Sequence, residues 1–522
     1  MRDGDVVKFR DGAPAAGGTC AHPLEPDAAL ETLLGRPAAS PIRTSPGCSS
    51  PTLRDAPAPR ATASLSRAPA TRHAGATGEL SRWIKLAGAA VVTASLLTAC
   101  TSGGADPPAS GSTPAAPSAD SPVQTPGQDS ETPDLARVVG KQGGAYRGSR
   151  QPPTGDKAES KLWFQDGRWW ALMVNANTRI TQIYRLDGDK QAWEDTGVFV
   201  DDRLDARGDA LWDGQKLYVA TSTAYLSEWQ QPPTDDAVQG GSALLLRFSY
   251  LPIEKSYRLD PGFPTLIRAG SSESINLGKD STGQLWVTYT RLGKVFVNRT
   301  TGADESWGEP FVLPSPAATV DADDTSALVA FGGRQVGVLW SNQRERAFYF
   351  AMHDDTAADD AWRTEVAYGQ HVGGCARGCA NDHISLRALP DGRLFAAIKT
   401  ANRLPNQPFI VLLDRDRRGW ASHVAGTVNE THTRPLVVLD DEKRLLHLFT
   451  VVPEVGGAVY YKTTNVDRIA FEPGLGVPFI SGGGAINNPT STKQAVDSKT
   501  GLVVLAADSS TGHYWYNTLP PR

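Results

Sequence analysis

Two histidines, His383 and His432, each open a short apolar run, with Asn381 and Asp382 just before the first and Arg434 just after the second. Histidine is the natural proton carrier near neutral pH, and a neighbouring cation would hold a carboxylate or hydroxyl groups. That combination suits β-elimination from a uronate sugar, where a cation neutralises the carboxylate and a base removes the adjacent proton. It suits passive sugar binding equally well. Polar groups stand at the corresponding point of other runs: Arg207 with Asp209, Ser272 with Glu273, Asp323 with Asp324, and Asn488 followed by Lys493. His383 and His432 are therefore the candidate catalytic groups. Arg207, Asp209, Glu273, Asp323, Asp324, Asn381, Asp382, Arg434, Asn488 and Lys493 are the candidate substrate-binding ring. For a plain glycosidase the carboxylate pair would be Glu273 with Asp323, Asp324 or Asp382. The structural alternative is that all of these cap strand ends and hold water.

The runs that must position them recur through residues 159–522, each as an apolar strand, a turn rich in Asp and Gly, and a second strand of aromatic and β-branched residues. Asp166-Gly167, Asp213-Gly214 and Asp391-Gly392 supply the positive φ that tight hairpins need. Seven such phrases, with Leu211, Ile275, Ser326, Ile384 and Pro435 recurring every 51 to 64 residues, predict an all-β chain folded as a seven-bladed β-propeller, six blades being the alternative. The last phrase supplies only three strands, so Val138 to Tyr146 is expected to add its outer strand and close the ring. Trp193, Tyr257, Trp307, Trp362, Trp420 and Phe471 open the outer strands and are expected to pack between neighbouring sheets. In a propeller the starts of the innermost strands gather at one rim, so the polar openings are expected to converge there.

The segments Thr301-Gly302-Ala303-Asp304-Glu305-Ser306-Trp307 and Asp355-Thr356-Ala357-Ala358-Asp359-Asp360-Ala361-Trp362 end in Trp before an outer strand. In this they resemble the Asp-box (BNR) loops of sialidase-like propellers, although neither carries the full Ser-x-Asp-x-Gly-x-Thr-Trp pattern. The resemblance spans residues 136–522 and implies a propeller of that superfamily. It does not carry sialidase activity over. A sialidase needs three arginines on the substrate carboxylate, a Tyr nucleophile assisted by Glu, and an acidic acid/base, whereas this ring offers only Arg207 and Arg434 and lacks the family's Phe/Tyr-Arg-Ile-Pro motif.

Composition divides the chain near residue 136. Residues 1–79 are a loose Arg/Pro/Ala/Ser tract, read as disordered and as an extension ahead of the true start near Leu80. Residues 80–99, with Arg82 and Lys85 before the apolar run Leu86 to Ala99, have the layout of a signal peptide. Leu97-Thr98-Ala99-Cys100 resembles the bacterial lipobox, which implies cleavage before Cys100 and lipidation of its sulfur. Residues 100–135 form a Pro/Ser/Thr-rich tether, and 136–522 form the propeller. The expected location is the extracytoplasmic face of the cell membrane, through a lipid anchor. In that compartment Cys375 and Cys379 are read as a disulfide. A zinc site with His383 is the alternative, at a spacing that is no recognised zinc pattern.

A net charge of −5 provides no broad basic field and argues against nucleic acid as a partner. No cofactor or metal is expected, and a Ca²⁺ ion in the channel has no support among the residues. The expectation is a monomeric, exported, carbohydrate-active or carbohydrate-binding propeller, with Trp212, Tyr225 and Trp229 available for sugar stacking. The alternative is a non-catalytic cell-surface scaffold or protein-binding module.

Overall fold

Seven antiparallel sheets account for nearly all regular structure in the computed structural model of the chain, which describes residues 137–146, 153–155, 157–203, 206–223, 241–373, 375 and 377–521. The signal segment, Cys100, the tether, Tyr225 and Trp229 lie outside the described residues. Apart from the outermost strand of the last sheet, each sheet runs from an inner strand outward in chain order and its neighbouring strands are antiparallel. The inner strands are Leu162–Gln165, Ala206–Trp212, Asn276–Lys279, Ser326–Phe331, Ile384–Ala388, Thr433–Asp440 and Ile486–Thr490. They define blades 1 to 7, and successive inner strands neighbour one another around the axis. The chain is a seven-bladed β-propeller, as its turn chemistry predicts.

The ring closes as expected. Lys141–Ala145 pairs antiparallel with His513–Leu519, with Lys141 opposite Tyr516 and Ala145 opposite His513, and becomes the outer strand of blade 7. Tyr146 then buries its ring against Tyr514, with centroids 5.1 Å apart, and donates its hydroxyl to the Asp508 carbonyl at 2.8 Å.

The core is a set of wedges between blades. Trp163, Trp170, Leu172 and Ile183 of blade 1 pack on Leu217, Val219, Leu246 and Phe248 of blade 2, and Phe348, Phe350 and Met352 of blade 4 pack on Leu386, Leu394 and Ile398 of blade 5. Removing each such side chain from water contributes roughly 1.5–3 kcal/mol, so these wedges bind neighbouring blades to one another. The outer-strand aromatics sit in these wedges, each on the preceding or closing blade. Trp420 lies 5.3 Å from Phe350, Trp362 5.9 Å from Trp286, and Trp193 6.0 Å from Tyr516.

Three aromatics depart from the simple repeat. Tyr257 belongs to a short extra strand, Ser256–Leu259, while the outer strand of blade 2 is Thr265–Ala269. Trp307 makes only an isolated bridge to Thr300, and Phe471 precedes its strand, Val477–Ile480, by several residues. Tyr257 still packs on Trp163 and Trp170, because the wedge needs a ring there whatever strand carries it.

Candidate functional site

Lys157 to Lys161, just ahead of the first inner strand, crosses the mouth of the channel. The Lys157 ammonium pairs with Glu273 of blade 3 and, at 2.8 Å, with Asp382 of blade 5, and donates to the Asp323 carbonyl of blade 4 at 3.3 Å. Asn276 donates to the Ala158 carbonyl at 2.9 Å, and Glu159 accepts the Ile275 amide at 3.1 Å. Ser160 N–H reaches Asp209 at 2.8 Å, and Lys161 pairs with Glu159 at 2.5 Å. Gly155 makes this crossing possible. Its φ is +70°, and a Cβ there would lie 2.6 Å from the Lys161 Cε. Glu159-Ser160-Lys161 opens the inner strand of blade 1, as the repeat implies, and the fold also uses it as a plug that ties the other openings together.

Next to the plug lies the best-formed cluster. His383 Nδ1 sits 2.7 Å from Asn381 Oδ1 and 2.8 Å from Asp382 Oδ1. Both partners accept, so Nδ1 carries the proton and Nε2 keeps the lone pair when the ring is neutral. Burial lowers the His383 pKa, and the Arg434 and Lys399 charges add to this against the pull of Asp382. Burial opposes ionisation of Asp382, but His383 and Lys157 outweigh it and hold that carboxyl well below the usual range. Asp323 stands at the open edge with Gln343 on its Oδ1 at 2.9 Å. Desolvation by the surrounding rim, and the Asp382 charge, raise its pKa.

Arg434 and Asn488 form the other half of the cluster. Both are left-handed, with φ of 49° and 51°, both precede a proline, and both sit where the pairing of their inner strand shifts register. Such a conformation costs on the order of 1 kcal/mol or more per residue and persists where the surroundings enforce it, often at binding sites. Arg434 Nε donates to the Asn488 side-chain oxygen. Its two terminal nitrogens have no protein partner among the described residues, and the side chain is half-buried, so a guanidinium fork is left for a ligand. Lys399, from the second strand of blade 5, pairs with Glu454 and donates to Thr433 Oγ1 at 3.2 Å.

Other expected ring members lie elsewhere. His432 turns into the wedge between blades 5 and 6. Its Nδ1 is 2.9 Å from Thr450 Oγ1 and its Nε2 is 3.9 Å from Glu430, so it shares no hydrogen-bond partner with His383. Burial, then the Lys462 charge, lowers the His432 pKa to about 4. Asp209 is fully buried inside the channel, accepting Ser160 N–H, Leu277 N–H at 2.7 Å and the Lys493 ammonium. Asp324 is spent on its own turn, accepting Ser341 Oγ at 2.7 Å and the Asp321 and Gln343 amides, and burial raises its pKa to about 6. Lys493 follows the inner strand of blade 7 instead of opening it, and reaches the channel below the plug. Arg207 donates to the Glu273 carbonyl at 3.2 Å and lies in the wall.

Lys157 and Lys399 are site residues that the repeat pattern does not single out. Lys157 belongs to no strand, and Lys399 ends a second strand, so only the fold brings them to the openings. Cys375 and Cys379 are joined by a disulfide in the loop that leads to Asn381, and Ala401 N–H donates to Gly378 O at 2.7 Å beneath it.

No known family's sequence pattern matches the chain, and no curated protein sequence does. Solved structures similar in fold include a polysaccharide lyase described as the ulvan lyase of family PL25 (10% identity, TM-score 0.45, covering 73% of this chain and 96% of that one). An α-L-arabinanase of Penicillium chrysogenum complexed with arabinobiose is similar at 11% identity and TM-score 0.39, covering 64% of this chain and 99% of its own. The Aleuria aurantia lectin in complex with α-methyl-L-fucoside follows at 13% identity and TM-score 0.30, covering 51% and 76%.

Proposed function

We propose that the chain is an exported, lipid-anchored propeller whose rim binds an extracellular glycan and cleaves uronate-bearing chains by β-elimination. The observation that supports this is the unused guanidinium fork of Arg434 beside a buried His383 whose proton is pinned on Nδ1. In this reading Arg434 takes the uronate carboxylate and lowers the cost of charge building on it as the C5 proton leaves. His383 Nε2 receives that proton, the C5–H electrons form the C4–C5 double bond, and the C4–O bond breaks toward the departing sugar. The departing oxygen takes a proton, for which Asp323, with its raised pKa, is the best-suited rim group. Asp382 and Asn381 position His383. Lys157 holds Asp382 ionised and Glu273 paired, which disfavours Glu273 or Asp382 as the acid of a glycosidase. The Trp-terminated loops at Trp307 and Trp362 support a distant kinship with Asp-box propellers.

The test is absorbance of the unsaturated uronate product when the protein meets uronate-bearing and neutral glycans. Turnover of uronate chains alone is expected, with a rate that falls on acidification as His383 takes up a proton, below its ordinary value near pH 6.5. His383→Ala should lower the rate at least about a hundredfold. Binding without absorbance would leave a glycan-binding module, and folded protein that neither binds nor cleaves any glycan would leave the scaffold.

A further inference from the structure

Below the plug lies a cavity of about 380 Å³, at the end away from the blade openings. Its wall is the far half of the inner strands, including Leu277, Val329 and Ala330, and three cations line it, Arg387, Lys493 and Lys279. The volume is within the roughly 300–1,000 Å³ of small-molecule sites.

Three cations, Arg387, Lys493 and Lys279, and three carboxylates, Asp209, Asp213 and Asp280, stand at or beside the cavity, but they are not all paired with one another. Lys161 is matched by Glu159 and Lys493 by Asp209, while Arg387, only 6% exposed, has no carboxylate partner among the described residues. Its bonds are to neutral acceptors: Nε to the Thr492 carbonyl at 3.2 Å, one terminal nitrogen to the Leu386 carbonyl at 2.8 Å, the other to Ser160 Oγ at 3.0 Å. A guanidinium has five N–H groups, so one on each terminal nitrogen is unused. Lys493 donates to Asp209 and to the Leu277 carbonyl and keeps one of its three N–H groups. Burial lowers the Arg387 pKa to about 10 and lowers that of Lys493, which an anion alongside would relieve. At the outer end Lys279 pairs with Asp213 at 2.6 Å. Asp280 is turned into its own hairpin, accepting Thr282 N–H, Gln284 N–H and Trp286 Nε1–H at 2.8 to 2.9 Å.

We propose that this lower cavity is a binding site for a single small carboxylate of monosaccharide size, held by the unused N–H groups of Arg387 and Lys493 above an apolar wall. A planar fork with two N–H groups to spare matches a carboxylate better than a spherical ion, and the apolar strand residues leave room for a ring. The site is separate from the rim cluster and does not depend on its chemistry.

Calorimetric titration of the full chain with D-glucuronate, D-glucose and sodium sulfate tests the assignment. Saturable binding of glucuronate and none of glucose is expected. Arg387→Met should weaken it at least about tenfold, the scale of a lost charge-assisted bond. Ala330→Trp fills the exposed outer end without touching a buried charge; it should weaken binding by a similar factor with an unchanged melting curve, while Arg434→Ala leaves the affinity as it was. Glucuronate binding that Ala330→Trp spares, or that Arg434→Ala removes, would place the ligand at the rim and overturn the proposal. Equal binding of glucose, sulfate bound in place of glucuronate, or no binding by folded protein would overturn it too.

Discussion

His383 and His432 share a residue type and a place in the repeat, yet their surroundings give them different work. His383 lies among Asn381, Asp382, Arg434 and Lys399, whereas His432 is sealed between Thr450 and Glu430. The consequence for His432 is measurable in stability. Its folded pKa, about 4, lies below the unfolded value near 6.5, so between those values acid protonates the unfolded chain first and favours it. The stabilisation is complete above about pH 6.5 and is lost as the pH falls toward 4, and His383 and His447, also lowered by burial, act in the same direction. Asp324 acts oppositely, since its raised pKa makes the folded state take the proton first. From pH 7 to pH 5, denaturant melts should show the native chain losing about 2 kcal/mol more than His432→Gln. An equal loss in both would mean that His432 takes up its proton alike in the folded and unfolded states. The polar residue types at the openings were legible in the sequence, but their directions were not. Side chains two apart in a regular strand share a face, and the left-handed Arg434 breaks that alternation just after His432.

The elements that carry the cluster are loops braced against blades. The turn before Asn381 is held by the disulfide and by Gly378, whose φ is +59° and whose added Cβ would lie 2.8 Å from the Ala401 carbonyl oxygen. Gly378→Ala must therefore shift the turn or the facing loop, at a cost of about 1–3 kcal/mol. Because that shift is passed to Asp382 and His383, turnover should fall by more than the change in melting temperature accounts for; stability lost with full activity would show that the turn does not position the histidine. Hairpins were readable in advance because Asp-Gly pairs such as Asp391-Gly392 have one low-cost conformation, and Gly392 takes it with φ +89°. The plug was not. Lys157 to Lys161 has the composition of any polar opening, and only the far-off Glu273, Asp382 and Asp209 give it a place.

At the scale of the whole molecule the blade count and the closure followed from the repeat, because a final phrase one strand short demands a partner and Val138 to Tyr146 is the stretch left ahead of the first phrase. Lys493 was misplaced for a related reason: the shifted register around Asn488 puts the inner strand of blade 7 earlier than the repeat suggests. The closure can be tested directly. A chain starting after Tyr146 leaves the edge of His513–Leu519 unpaired and uncovers Tyr514 and Trp515. It should melt at lower temperature and associate in light scattering, and Tyr146→Ala alone should cost about 3 kcal/mol; a truncated chain that stays monomeric with an unchanged melt would show that blade 7 stands without its outer strand. The same pairing has a bearing on biosynthesis. Lys141 is made near the beginning of the propeller and Tyr516 almost at its end, so the strand that finishes the circle must wait, unmatched, until the ribosome has released nearly everything else, and the ring cannot shut blade by blade as the polypeptide emerges.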